Sequence, residues 1–165
     1  MSETDTIAGL LFLTRLQKID LRVSAPQKRK PPNFPSTDPF PFLHALVDSY
    51  AFPAKPASDT DPRCNPILAD LDMLPENILM NIAAVDILLY EQLEFIEKLK
   101  RQLEADPERN RGRKVEAKVY DGQLHGWLEL PSIAIDESTR QECWDLDVAF
   151  IKDIHRKYGF EWKEL

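Results

Sequence analysis

The sequence predicts an α/β domain built on a parallel strand–helix–strand unit. Three stretches lead to that prediction. Residues 77–85 form a near-continuous apolar run containing Ile78, Leu79, Met80, Ile82, Ala83, Ala84 and Val85, the composition of a strand buried on both faces. The period then turns helical: Leu89, Leu93, Ile96, Leu99 and Leu103 fall on one stripe, with Glu94–Lys98 and Glu97–Arg101 as i,i+4 pairs outside it. Residues 115–120 favour strand again, so the helix is a crossover between parallel neighbours, with the usual right-handed connection.

Composition bounds the rest. A chain of 165 residues that is 43% apolar and 30% charged is a globular domain with room for a core. Its net charge of −7 argues against nucleic acid or an anionic membrane surface as partner. Two cysteines, Cys64 and Cys143, are too few for a disulfide framework, and the default setting is reduced and cytoplasmic. Each thiol reads as a small buried or half-buried side chain. The apolar run at 7–13 is too short to span a bilayer, and Glu3 and Asp5 precede it where a signal peptide would be basic. No transmembrane segment is expected.

In chain order, residues 1–18 hold that core-facing segment, more helical than extended. Residues 18–23 alternate apolar and polar, as a short strand does. Residues 19–76 form a connection that resists regular structure, since ten of the thirteen prolines lie between Pro26 and Pro66. Lys28-Arg29-Lys30 in it reads as a solvated basic loop. Residues 40–50 can form one short helix, and His44 on it has no spaced partner for a metal. Residues 77–165 are the strand–helix–strand unit and a terminal helix. Asp106-Pro107 ends the first helix, and residues 108–114 read as a solvated charged loop. Ser138-x-x-Gln141 and Thr139-x-x-Glu142 are alternative capping boxes for the last helix, whose apolar stripe is Cys143, Leu146, Ala149, Phe150, Ile154 and Tyr158. That helix stops at Gly159, and His155 sits near its C-terminal end, where a cation suits the dipole.

Two residues stand out for chemistry. Asp86 follows the first strand, and His125 follows the second, beyond an Asp121-Gly122 turn signal. In a parallel unit both loops open on the same edge, where α/β sheets place their sites. A carboxylate that accepts from imidazole Nδ1–H fixes the tautomer and makes Nε2 a base. The plainer readings are an N-cap for Asp86 and a surface loop for His125. Both roles of Asp86 can coexist, because a carboxylate has several acceptor sites.

Leu74-Pro75, the buried run to Ala84-x-Asp86, a helix containing Glu91, and Val119-Tyr120-Asp121-Gly122-x-x-His125-Gly126 together resemble the C-terminal part of the α/β-hydrolase family. The closest branch is that of the hormone-sensitive-lipase-like ("fold 3") esterases and lipases. The resemblance covers the chain from about Ile19 to its end. It implies a partial α/β-hydrolase fold, an ester substrate, no cofactor or metal, Asp86 as triad acid and His125 as triad base. It also implies that the proline-rich stretch corresponds to a lid or pocket wall.

The chain departs from that pattern. Trp127 stands in place of phenylalanine, Tyr90 in place of the first of an acidic pair, and the Asp86-to-His125 spacing is long. More serious, there is no His-Gly-Gly oxyanion loop and no Gly-x-Ser-x-Gly elbow; Gly9 is the only glycine before Gly112. Ser2, Ser24, Ser36, Ser49 and Ser58 have no strand–turn–helix context. The expectation is the C-terminal half of an ester hydrolase, inactive alone. The alternative is an interaction module whose open sheet edge pairs with a second copy or with a complementing hydrolase half.

Overall fold

The computed structural model of the protein describes residues 23–37, 60–63 and 65–160. The segments expected at 7–13 and 40–50, most of the alternating run at 18–23, and the side chains of His44 and Cys64 lie outside those residues. The described residues fall into two compact units that adjoin in sequence at His125–Gly126.

In the first unit, strand β1 (Asn77–Val85) is buried along most of its length. Helix α1 (Leu89–Ala105) follows, then strand β2 (Lys114–Leu124). The two strands pair in parallel, as the period changes predicted. Ile78, Met80 and Ile82 alternate onto one face of β1 and join Leu89, Phe95, Ile96 and Leu99 of α1 and Val115 of β2 in a single apolar core. Ala69, which follows the short 3-10 turn Pro66–Leu68, and Leu71, which begins the 3-10 turn Leu71–Met73, close it.

Several expectations change. Strand β2 does not end at Tyr120. Pairing runs regularly to Ala83↔Tyr120 and resumes at Val85↔Leu124, so β1 advances two residues (85 − 83) while β2 advances four (124 − 120). The two extra residues are accommodated in a bulge that includes Asp121 and Gly122, and Gly122 takes φ +72, a left-handed conformation that costs a side-chain-bearing residue. The turn signal is thus spent inside the strand.

Of the basic triplet, Arg29 and Lys30 are exposed, as a solvated loop requires, but Lys28 is not. The Lys28 ammonium is buried and meets the Glu91 carboxylate at 2.6 Å, and the Arg29 guanidinium lies 3.9 Å from the centre of the Tyr90 ring. Nor is the 108–114 loop merely solvated. Asn110 is buried and donates to the Gln102 and Leu103 carbonyls (3.0 and 3.3 Å), which satisfies acceptors at the end of α1. Arg113 donates to the Leu71 and Leu74 carbonyls, and Arg109 pairs with Asp72.

Lys98 does not serve an i,i+4 pair with Glu94. It reaches the Ile67 and Ala69 carbonyls (3.2 and 2.8 Å) and Asp70 at 3.2 Å. The Gln102 amide, with Lys98 beside it, holds the Asp70 carboxyl below its usual range. Glu97 pairs at i,i+3 with Lys100 rather than with Arg101.

In the second unit, helix α2 (Glu137–Lys157) buries Cys143, Phe150 and Ile154. Leu146 is half-buried, and Ala149 and Tyr158 of the expected stripe are exposed. The cap is neither Ser138 nor Thr139. It is Asp136, which accepts from the Ser138 N–H at 3.0 Å and from both hydroxyls. An ionised acceptor just ahead of them outcompetes a hydroxyl for the first N–H groups. At the other end the Phe160 N–H donates to His155 and the Gly159 N–H to Arg156, the paired bonds that close a helix around a C′ glycine.

Candidate functional site

The site is made by the bulge. Because Val85 pairs with Leu124, the next residue of each strand, Asp86 and His125, leaves the sheet abreast of the other. In an unbroken ladder Asp86 would stand beside Gln123.

Asp86 directly follows β1, and its side chain is only 3% exposed. A carboxylate so buried needs donors. It has them on both oxygens. Oδ1 accepts the Leu88 N–H at 2.9 Å, and Oδ2 lies 2.8 Å from His125 Nδ1. The Asp86 carbonyl accepts the Leu89 N–H at 3.1 Å. Asp86 therefore tightens the turn into α1, although the cap position belongs to Leu88. The plain reading and the chemical reading of Asp86 divide between its two oxygens.

His125 is 40% exposed at its side chain. With an ionised carboxylate at Nδ1, that nitrogen bears the proton and the lone pair sits on Nε2. Gly126 follows at φ +70. A Cβ there would come no closer than 3.9 Å to any neighbour, so glycine is needed for backbone freedom rather than for space. The turn lets the chain leave the histidine directly into the short 3-10 turn Trp127–Glu129, where Trp127 is buried.

A family profile described as the alpha/beta hydrolase fold matches residues 7–129. The chain belongs to that family. Within the α/β hydrolases its branch is the hormone-sensitive-lipase-like one, and the strands, crossover helix and histidine loop lie inside the matched span. The match reaches further upstream than the resemblance from Ile19 and stops short of α2. Nothing among curated proteins or solved structures matches the chain.

Asp86 and His125 are thus brought into contact, while His44 and Cys64 lie outside the described residues. Among the described residues no group of three His, Cys, Asp or Glu side chains is placed to hold a metal ion. None of their helices is long and apolar enough to cross a membrane. A cleft of about 390 Å³ lined by Leu103, Glu104, Asn110, Arg111 and Arg113 lies at the far end of α1 from Asp86. A 17-residue helix separates the two by roughly 25 Å, so the cleft is not part of this site. One partner was not anticipated: Lys28, which pairs with Glu91 in the first turn of α1; the Leu88 N–H on Asp86 is the kind of bond the N-cap reading implied.

Proposed function

We propose that this α/β hydrolase descends from carboxylic-ester hydrolases and keeps the acid and base of their triad in Asp86 and His125. The observation that supports this most is the 2.8 Å contact between Asp86 Oδ2 and His125 Nδ1, two groups 39 residues apart at the ends of adjacent parallel strands. In such a pair the carboxylate holds Nδ1–H, Nε2 takes the proton of an attacking hydroxyl, and the resulting imidazolium is stabilised by the buried charge.

The 165 residues contain no Gly-x-Ser-x-Gly elbow and no glycine-rich oxyanion loop. Without a positioned hydroxyl and its oxyanion donors, the base has no acyl transfer to assist. The reading is therefore of an ester-hydrolase scaffold that does not turn over esters by itself. Purified protein is expected to give only background hydrolysis of a short acyl ester and no labelling by a serine-reactive fluorophosphonate. Robust turnover that disappears in His125→Ala would refute it.

A further inference from the structure

We infer that Lys28 and Arg29 form a latch that positions Asp86 against His125. The inference rests on the reading of Asp86 as the group that orients the histidine. Two consecutive residues of the proline-rich segment dock on two consecutive residues of α1. Lys28 Nζ meets Glu91 Oε2 at 2.6 Å, with side chains 5% and 11% exposed, and Arg29 stacks 3.9 Å from the Tyr90 ring centre. Tyr90 and Glu91 lie in the first turn of α1. That turn presents the Leu88 N–H to Asp86 Oδ1 and the Leu89 N–H to the Asp86 carbonyl.

The causal chain is short. A salt bridge buried to this degree holds its partners in one geometry, because any other leaves a charge without solvent or counter-ion. Adjacent contacts on adjacent residues fix rotation as well as distance. The first turn of α1 is thereby fixed, and with it the Leu88 N–H that aims the Asp86 carboxylate and the Leu89 N–H that holds the Asp86 carbonyl. Oδ2 then stays on His125 Nδ1. Outer partners orient the groups that touch a reacting centre in the same manner at metal sites. Tyr90 stands where the resemblance places an acidic residue, and here its ring receives Arg29. Lys28, Arg29, Tyr90 and Glu91 are positioning residues; none touches the imidazole in the contacts described.

The test reads the ring ¹⁵N shifts of His125, which report the nitrogen bearing the proton, beside the melting temperature. Wild type is expected in the Nδ1–H form. Glu91→Gln and Lys28→Met are expected to lower the melting temperature and to bring the Nε2–H form to a comparable population. Leu103→Ala, which loosens the opposite end of α1, is expected to lower the melting temperature and leave the tautomer unchanged. Lys28→Arg, which keeps the charge, is expected to retain the wild-type tautomer. An unchanged Nδ1–H population in folded Glu91→Gln and Lys28→Met overturns the latch. Should those variants fail to fold, hydrogen exchange of the wild-type Leu88 amide decides. Protection comparable to the β1 amides supports a fixed turn, and exchange at the rate of a loop overturns it. A wild-type ring in the Nε2–H form would instead sink the underlying reading of the pair.

Discussion

Replacing Asp86 by asparagine should move a proton across the His125 ring. The carboxylate is held at Oδ1 by the Leu88 N–H at 2.9 Å and at Oδ2 by His125 Nδ1 at 2.8 Å. Asparagine has one acceptor and one donor group for these two positions. The Leu88 N–H can only donate, so the amide oxygen stays there and the NH₂ takes the place of Oδ2. Nδ1 then faces a donor and must accept, so the proton is expected on Nε2. A hydrogen bond to an ionised group contributes about 1.5–3 kcal/mol, against about 0.5–1.5 for a neutral pair. At about 1.4 kcal/mol per factor of ten, wild type should favour the Nδ1–H tautomer at least tenfold. The variant should favour Nε2–H by roughly fivefold, for a neutral bond of about 1 kcal/mol. Ring ¹⁵N shifts, recorded at a pH where the imidazole is neutral, measure both. A variant that keeps Nδ1–H as its major form would show that this contact does not set the tautomer. The lone pair would then have no reason to sit on Nε2 in the wild type.

Other perturbations follow from the core, the bulge and the cap. Phe95 is 0% exposed at the centre of the first unit, and Phe95→Ala should cost about 3–5 kcal/mol in urea unfolding; a loss below about 1 kcal/mol would mean the core repacks freely. Gly122 has φ +72 and open space around its Cβ position, so Gly122→Val should cost about 1–2 kcal/mol from backbone strain alone, read as a lowered urea midpoint. The Ser138 hydroxyl and N–H hold the Asp136 carboxyl below its usual range. A carboxyl depressed in the folded state stabilises α2 fully above the unfolded value of about 3.9 and loses that contribution as pH falls through the folded value. Helicity of α2 should therefore decline in acid, and Asp136→Ala should be less helical at neutral pH and lack that acid step.

The strand–helix–strand unit was legible because each change of period reports a change in which atoms face the core. The apolar run of β1 and the Leu89-to-Leu103 stripe needed no tertiary information. The Asp86–His125 pairing was legible from position at strand ends and from the resemblance. What escaped was set by contacts distant in sequence. Asp121-Gly122 has the same composition in a terminating turn and in a bulge, and only the pairing of Val85 with Leu124 distinguishes them. Lys28 looks like any solvated lysine until Glu91, 63 residues on, supplies its counter-charge. Ser138 and Thr139 each read as a cap, and the pattern that selected them passed over Asp136, an ionised acceptor to which both hydroxyls themselves bond.

The bulge in β2 also sets how chain length can vary beside the site. Side chains alternate along a strand with period two, so in an ideal pleat a spacer of two residues leaves His125 on the face it would have had without it. Removing both Asp121 and Gly122 would let the ladder run unbroken from Ala83↔Tyr120 to Val85↔Leu124, and residue 86 would still leave the sheet beside residue 125. Removing one and restoring a regular ladder would set Asp86 against Leu124, with the imidazole one step beyond and on the opposite face. In that geometry insertions and deletions between Tyr120 and Gln123 keep the face of His125 only in pairs, and the segment acts as a shim whose thickness comes in steps of two.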